Sequence, residues 1–429
     1  MYLRRCTQAL QDVQVLFGGQ VPLVQLCPQA LRSVSPLHIA HTKPVVLIRE
    51  QWNFCVEFLP LWLAPNMVTL LGFFCIIGNV GLASLLDPDL LGPKQAWVCY
   101  SYALGVWAYS TMDNIDGKQA RRTGTSSGLG ELFDHGIDSL NCTLASLLET
   151  SAMGLGATKL GAFTALVPCL PMFFSTWETY HTHILFLGYF NGPTEGLLIA
   201  SLVMAASGFW GPGLWREPLA KLFGFEELLG KITFLDIWAP VILFAFFTAH
   251  LPSCVVNVAA ARRAKGLSVA PLLLEWTPMV VFVGALCAWL GSPHTHILSS
   301  NHLTLLCLIL SFVFGRMTTK IILAHLTRQP FPYWTSLLAP LVGGAALAWL
   351  PLVGLPAVSE RFELAYLWVY FAFSAIVYFR WAFLVVNAIC DYLGIQCLTI
   401  PEEKWKANED DQKQRRGDKL VMNGKGKAG

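Results

Sequence analysis

The chain has 429 residues, 55% hydrophobic and 13% charged, with a formal net charge of +2 and a mean hydropathy of +0.53. Soluble domains carry about 25% charged residues, so the composition excludes a soluble globular protein and leaves a polytopic membrane protein. The near-neutral charge gives no ground for nucleic-acid binding.

Residues 1–41 read as an N-terminal extension without order. Arg4 and Arg5 are basic, but no clean apolar run with a small-residue cleavage site follows them. Residues 42–65 mix Trp52, Phe54, Phe58, Leu61 and Trp62 with Arg49, Glu50 and Glu57, the pattern of an amphipathic helix lying on a membrane surface. Pro60 should interrupt it, and Pro65 precedes the first span. A spanning helix needs about 20 apolar residues. Ten stretches qualify, at about 66–86, 96–115, 135–155, 160–182, 195–213, 233–257, 270–291, 302–325, 332–355 and 365–390. The expected fold is therefore an all-α polytopic membrane protein with about ten transmembrane helices. Residues 66–257 would form a six-helix catalytic core. Residues 258–391 would add C-terminal helices serving as support, a lipid path or a homodimer face. Residues 392–429 would be a polar tail, disordered from Glu402 on.

Basic clusters at Lys43/Arg49, Lys118/Arg121/Arg122, Arg262/Arg263/Lys265, Arg316/Lys320/Arg328 and Lys404–Arg416 fall on one face of a ten-span chain. The excess of Lys and Arg assigns that face, and both termini, to the cytosol. Arg216, Lys221 and Lys231 dissent mildly from the opposite side. The 12 cysteines are scattered, without C-x-x-C or zinc spacing, and read as unpaired structural thiols. The sequon Asn141-Cys142-Thr143 lies inside a span near the cytosolic side and is discounted.

Four aspartates stand where apolar residues are expected. Asp113 and Asp116 are three apart and Asp134 and Asp138 four apart, so each pair shares one face of its helix. A charge at the bilayer centre costs roughly 2.5–3.5 kcal/mol, and four acids at that depth call for a cation. Facing pairs would make an all-oxygen site for hard ions such as Mg²⁺ or Mn²⁺, with charge enough for two. Gly117, Ala120 and Gly130 are small enough to admit a base or phosphate to the backbone. Lys118, Arg121 and Arg122 offer positive charge for phosphate oxygens. The competing structural reading pairs the acids with these same cations and with one another at a helix end.

Asp113, Asp116, Gly117, Ala120, Arg121, Gly130, Asp134 and Asp138 fill D-x-x-D-G-x-x-A-R, eight residues, G-x-x-x-D-x-x-x-D. The chain thereby resembles the CDP-alcohol phosphotransferase family. Leu63–Thr69 and Thr176–Tyr180 resemble its eukaryotic choline/ethanolamine branch. The resemblance runs from about Trp52 to Asp391. It implies transfer of a phosphoalcohol from CDP-choline or CDP-ethanolamine to diacylglycerol, giving phosphatidylcholine or phosphatidylethanolamine and CMP, at the endoplasmic reticulum with the site facing the cytosol. It makes Asp113, Asp116, Asp134 and Asp138 metal ligands, and Gly117, Lys118, Ala120, Arg121 and Gly130 part of the CDP-alcohol pocket. The general base is Asp138 or, since metal-bound carboxylates are weak bases, His135 aided by Glu195. His135 could equally orient a ligand carboxylate.

Asn66 and Thr69 read either as helix caps beside Pro65 or as contacts to the donor phosphates. Trp177, Glu178 and Tyr180 read as interfacial anchors, with cation–π contact to a quaternary ammonium as the alternative. His181 and His183 read as solvated, and Arg316, Lys320 and His325 as cytosolic anchors. Two other functions stay open. One is a CDP-alcohol transferase with another alcohol or acceptor, and the other is an ion transporter with a path of buried acids.

Overall fold

The computed structural model describes residues 43–183, 196–223 and 230–410. Regular structure there is helical, apart from two isolated β-bridges, Leu63 with Thr399 and Pro218 with Thr233. Helix α1 (Lys43–Phe58) stops two residues before Pro60. Helix α2 (Pro65–Leu86) begins on Pro65, where a missing N–H costs nothing. There follow α3 (Ala96–Arg122), α4 (Gly128–Ala152), α5 (Lys159–Thr182, broken at Val167–Pro168), α6 (Leu197–Trp210) and α7 (Phe234–Ala264, containing a π-turn at Phe246–His250). The chain continues as α8 (Ala270–Gly291), α9 (Leu303–Thr327), α10 (Leu338–Ala348) and α11 (Glu360–Leu393).

Helices α2 to α11 occupy the ten expected spans. Six of them, α2, α5, α7, α8, α9 and α11, are long and apolar enough to cross a membrane by length and composition. The protein is a multi-pass membrane protein. At 14 and 11 residues, α6 and α10 are shorter than expected. Helices α3 and α4 differ in the other direction: α3 runs seven residues past the expected end at 115, and α4 begins seven before 135. Hydropathy fades where Asp116 to Arg122 begin, but Lys, Gln and Arg are good helix formers, so the hydrogen-bonded ladder continues through them. Gly124, at φ +62°, makes the turn, and Ser127 caps α4 by accepting from the Gly130 N–H.

Helix α4 is the axis of the bundle, packed on α2, α5 and α9. It runs antiparallel to α9: Thr143 donates to the Cys307 carbonyl (3.3 Å), Ser311 to the Leu140 carbonyl (3.1 Å), and Thr318 to Ser139 Oγ (2.7 Å). Such small polar residues join helices where apolar contact alone gives no preference over lipid.

Three expectations need correction. Trp177 is fully buried rather than interfacial: its indole N–H donates to Glu275 (2.7 Å), and Phe174, Trp276 and His181 meet its ring edge-on. Glu178 is likewise buried, accepting from Asn257 (2.6 Å), and His181 is buried on Glu275 (2.6 Å) rather than solvated. Residues 402–410 are helical: a Glu402–Lys406 pair spans one turn, and Asn408 donates to the Thr123 carbonyl (2.7 Å). Aromatic and charged letters alone do not reveal which side of a helix tertiary packing covers.

Gly344 of α10 lies against α8 so closely that a Cβ there would come within 2.2 Å of the Trp289 ring. A Gly344→Val variant should lose about 1–3 kcal/mol through overpacking, seen as a lower Tm of the detergent-solubilised protein. An unchanged Tm would mean that Trp289 can move aside.

Candidate active site

Helix α3 presents Asp113 and Asp116, and α4 presents Asp134 and Asp138. One carboxylate oxygen each from Asp113, Asp134 and Asp138 lie within 4.8 Å of one another. Asp116 adjoins Asp134 and is held from α2, where the Thr69 hydroxyl donates to it (2.5 Å). Asp138 accepts from the Tyr109 hydroxyl (2.5 Å).

The cation-pairing half of the competing structural reading fails on these contacts. Among the described residues, none of the four aspartates is ion-paired. Lys118 reaches back to Asn53 of α1 (2.5 Å). Arg122 donates to the carbonyls of Val56 (2.8 Å) and Leu59 (2.6 Å), so it closes the C-terminal end of α1 rather than facing a phosphate. Gln119, fully buried, donates to the carbonyls of Pro60 (2.9 Å) and Leu63 (3.1 Å). Asp113 Oδ1 and Asp134 Oδ1 are buried with no hydrogen-bond partner among the described residues. Buried carboxylate oxygens without donors are costly. A cluster of hard oxygen donors with two lone, desolvated oxygens is the chemistry a divalent cation satisfies, so the residues present fit such an ion.

Around the cluster the surface is open where glycine stands. A Cβ on Gly117 would meet only Arg121 Nη1 (3.7 Å), and one on Gly130 only Asn66 Oδ1 (3.7 Å). Ala120 is half-buried and Arg121 exposed at the mouth. Neither Asn66 nor Thr69 caps α2: Thr69 holds Asp116, and Asn66 donates through Nδ2 to the Cys397 carbonyl (3.0 Å). His135 is buried, with Nδ1 3.1 Å from the Glu131 carbonyl. A carbonyl oxygen only accepts, so Nδ1 carries a proton and donates to it. Glu195 lies outside the described residues.

Sequence reasoning missed Tyr109 and Cys397. Tyr109 stands four residues before Asp113, hence on the same helical face, and that spacing was the available signal. Cys397 reaches Asn66 across 331 residues, with no local signal.

Fold and site together define a polytopic helical membrane protein with a buried carboxylate cluster able to hold a divalent cation. Residues 62–206, which include all four aspartates, match the CDP-alcohol phosphatidyltransferase family. The chain is 36% identical to cholinephosphotransferase 1 of Saccharomyces cerevisiae over 297 residues, 67% of this chain and 74% of that protein. It is 32% identical to choline/ethanolaminephosphotransferase 1 of Arabidopsis thaliana over 374 residues, 83% and 92% of the two chains. It is 31% identical to choline/ethanolaminephosphotransferase 1 of S. cerevisiae over 363 residues, 83% and 92%. The chain belongs to the CDP-alcohol phosphatidyltransferase family.

The Cys397 thiol lies beyond the end of α11. A hydrogen bond from the Cys390 thiol, aided by Asn66 and against the cost of burial, lowers its pKa to about 7. Ordinary thiols titrate near 8.5. Iodoacetamide should therefore label Cys397 with a rate that is half-maximal near pH 7 and label is lost in Cys397→Ser. A half-maximum near pH 8.5 would remove the Cys390 hydrogen bond from the account.

Proposed function

We propose that this protein transfers phosphocholine or phosphoethanolamine from CDP-choline or CDP-ethanolamine to diacylglycerol, releasing CMP and forming phosphatidylcholine or phosphatidylethanolamine. It would do so in the endoplasmic reticulum membrane, with the aspartate end of the bundle toward the cytosol. The observation that carries the reading is the facing of two aspartate pairs across α3 and α4, with two buried oxygens lacking donors, beside open backbone at Gly117 and Gly130. The names of the relatives support the choice of donor and acceptor.

Asp113, Asp116, Asp134 and Asp138 would hold Mg²⁺ or Mn²⁺, two ions by charge. Such ions supply neutralisation of the pyrophosphate and of the departing phosphate. The chain's own residues do the rest. Thr69 and Tyr109 fix the carboxylates they donate to, so the ligand set is ordered before substrate arrives. Open backbone at Gly117 and Gly130, with Asn66 and Ala120 beside it, would admit the cytidine and phosphates. Arg121 at the mouth supplies a guanidinium for phosphate oxygens, and Lys118 adds positive charge behind it.

The diacylglycerol oxygen attacks the phosphorus that bears the alcohol. The bond from that phosphorus to the bridging oxygen breaks, and CMP leaves with the electron pair. The hydroxyl proton must go to a base within reach. His135, anchored through Nδ1 on the Glu131 carbonyl so that Nε2 is the nitrogen left for the substrate, is our assignment, with Glu195 in support and Asp138 kept as ligand. Transfer of this kind depends mostly on positioning and charge, which suits carboxylates carried on α3 and on α4, itself packed against α2, α5 and α9.

CMP release should be measured on purified protein in diacylglycerol micelles, with Mg²⁺ or Mn²⁺ and either donor. Release should need metal and lipid and vanish in Asp134→Ala. The ratio of the two donors assigns the head group. No release with either donor, while reconstituted vesicles carry an ion current, would replace the enzyme by a transporter. Tyr109→Phe removes a hydrogen bond to a charged group, worth about 1.5–3 kcal/mol. It should lower kcat by roughly 10- to 100-fold with little change in KM for the CDP-alcohol; an unaltered kcat would detach Tyr109 from the site.

A further inference from the structure

Helix α9 has two faces of different character. Ser311, Gly315 and Thr318 press against α4. The other face carries Arg316 and Lys320, one turn apart, and neither meets an acid. Arg316 Nη1 donates to the Val377 carbonyl of α11 (3.1 Å), and its guanidinium lies 5.6 Å from the centre of the Trp381 ring. Arg316 Nε is buried and has no acceptor among the described residues. Lys320 Nζ donates to the Trp334 carbonyl (3.0 Å), in the connection from α9 to α10.

The packed elements hold no counter-charge. Helices α9 and α10 and residues 328–337 contain no Asp or Glu. On α11, Glu360 stands 17 residues before Val377, about 25 Å along the helix, Glu363 is taken up by Trp289, Thr295 and the His296 N–H, and Asp391 lies ten residues beyond Trp381, about 15 Å along the helix. The aspartates of α4 face α3. Two cations are thus left with only carbonyls and a ring as partners among the described residues.

Their level identifies the missing anion. Tyr333 and Trp334 are exposed, at 45% and 49%, as aromatic residues are at the boundary between hydrocarbon and water. Lys320, bonded to Trp334, therefore sits at the depth of lipid head groups, and Arg316 one turn, about 6 Å, deeper. The anion abundant at that depth is the phosphodiester of a phospholipid. The Lys320 ammonium, exposed at its bond to Trp334, suits its oxygens, and the Arg316 guanidinium one turn deeper, whose Nε–H has no acceptor among the described residues, adds a second positive charge.

We propose that the face of α9 carrying Arg316 and Lys320, beside α11 and the α9–α10 connection, binds one phospholipid of the surrounding leaflet through its phosphate, on the side of α9 away from the aspartates. The site is separate from the catalytic one. Its occupant would brace α9, and through the α9–α4 hydrogen bonds the helix that carries Asp134 and Asp138.

The test is thermal unfolding of delipidated full-length protein in detergent, titrated with dioleoylphosphatidylglycerol, dioleoylglycerol or inorganic phosphate. Lipid retention would be counted by native mass spectrometry. Phosphatidylglycerol is neither donor nor product of the proposed reaction, so the readout survives if that reaction is wrong. Phosphatidylglycerol should raise Tm and leave one bound lipid, with the midpoint shifted about tenfold or more to higher lipid in Arg316→Gln and in Lys320→Gln. Dioleoylglycerol and free phosphate should do neither. Equal responses of wild type and both variants overturn the proposal. So does an equal effect of dioleoylglycerol, which lacks the phosphate, or of inorganic phosphate, which lacks the lipid. Should Arg316→Gln not fold, Lys320→Gln decides, because that side chain holds only one backbone carbonyl.

Discussion

The structure is organised around four carboxylates that the protein itself does not neutralise. Their nearest basic neighbours in sequence are directed elsewhere: Lys118 to Asn53, Arg122 to the end of α1, Arg121 to the mouth. An ordinary helix end would have paired these charges locally. Keeping them apart leaves a cluster with strong mutual repulsion and two buried oxygens without donors. A cation from outside would relieve that repulsion and fill the empty coordination of those oxygens. The stability of the arrangement without a cation must come from the helices around it, and α4 is clamped from both sides by α2 and α9.

The cations turned away from the cluster have a second consequence. Gln119 and Arg122 hold four carbonyls between Val56 and Leu63, so the link between α1 and α2 is fixed onto α3. That link also pairs Leu63 with Thr399, while Asn66 binds the Cys397 carbonyl and Asn408 the Thr123 carbonyl. The segment after α11 is thereby laid along the mouth of the site, although some 270 residues separate it from the aspartates in sequence. Removal of that segment would disturb the wall at Asn66 without touching a single aspartate.

The aspartate site was readable because its logic is local. Each pair lies within four residues on one helix, and the pairs are joined by a short turn, so period and spacing already place them on two facing surfaces. The ten helices were readable for the same reason. What was lost depends on packing between distant segments. Nothing near Trp177 or His181 announces Glu275, about 95 residues on, which draws both inside. Thr69 was picked out by its position at the start of α2, yet its bond to Asp116 is a tertiary fact. The ends of α3 and α4 were misplaced because hydropathy records the lipid contact of a helix and not its hydrogen bonding. The helix beyond Glu402 was missed because a polar composition resembles disorder unless a partner such as Thr123 is known.

In the proposed reaction two substrates of opposite solubility must meet. Helix α3 passes from exposed Arg121 to half-buried Asp113 in eight residues, about 12 Å of rise. A charged donor can thus keep its outer end at the mouth while its pyrophosphate descends to the carboxylates. Diacylglycerol has no charge to desolvate and can reach the same depth from the hydrocarbon side. The aspartates are then as deep as they must be for the lipid hydroxyl and as shallow as they must be for the nucleotide. Tyr109 and Asp138 mark the inner limit, because below them α3 and α4 bury Tyr102, Val106 and Leu144 in an apolar core. The same depth explains why the cluster sits on two helices and not on a loop: backbone at this level must satisfy its own hydrogen bonds, and only helices do so while aiming four side chains at one point.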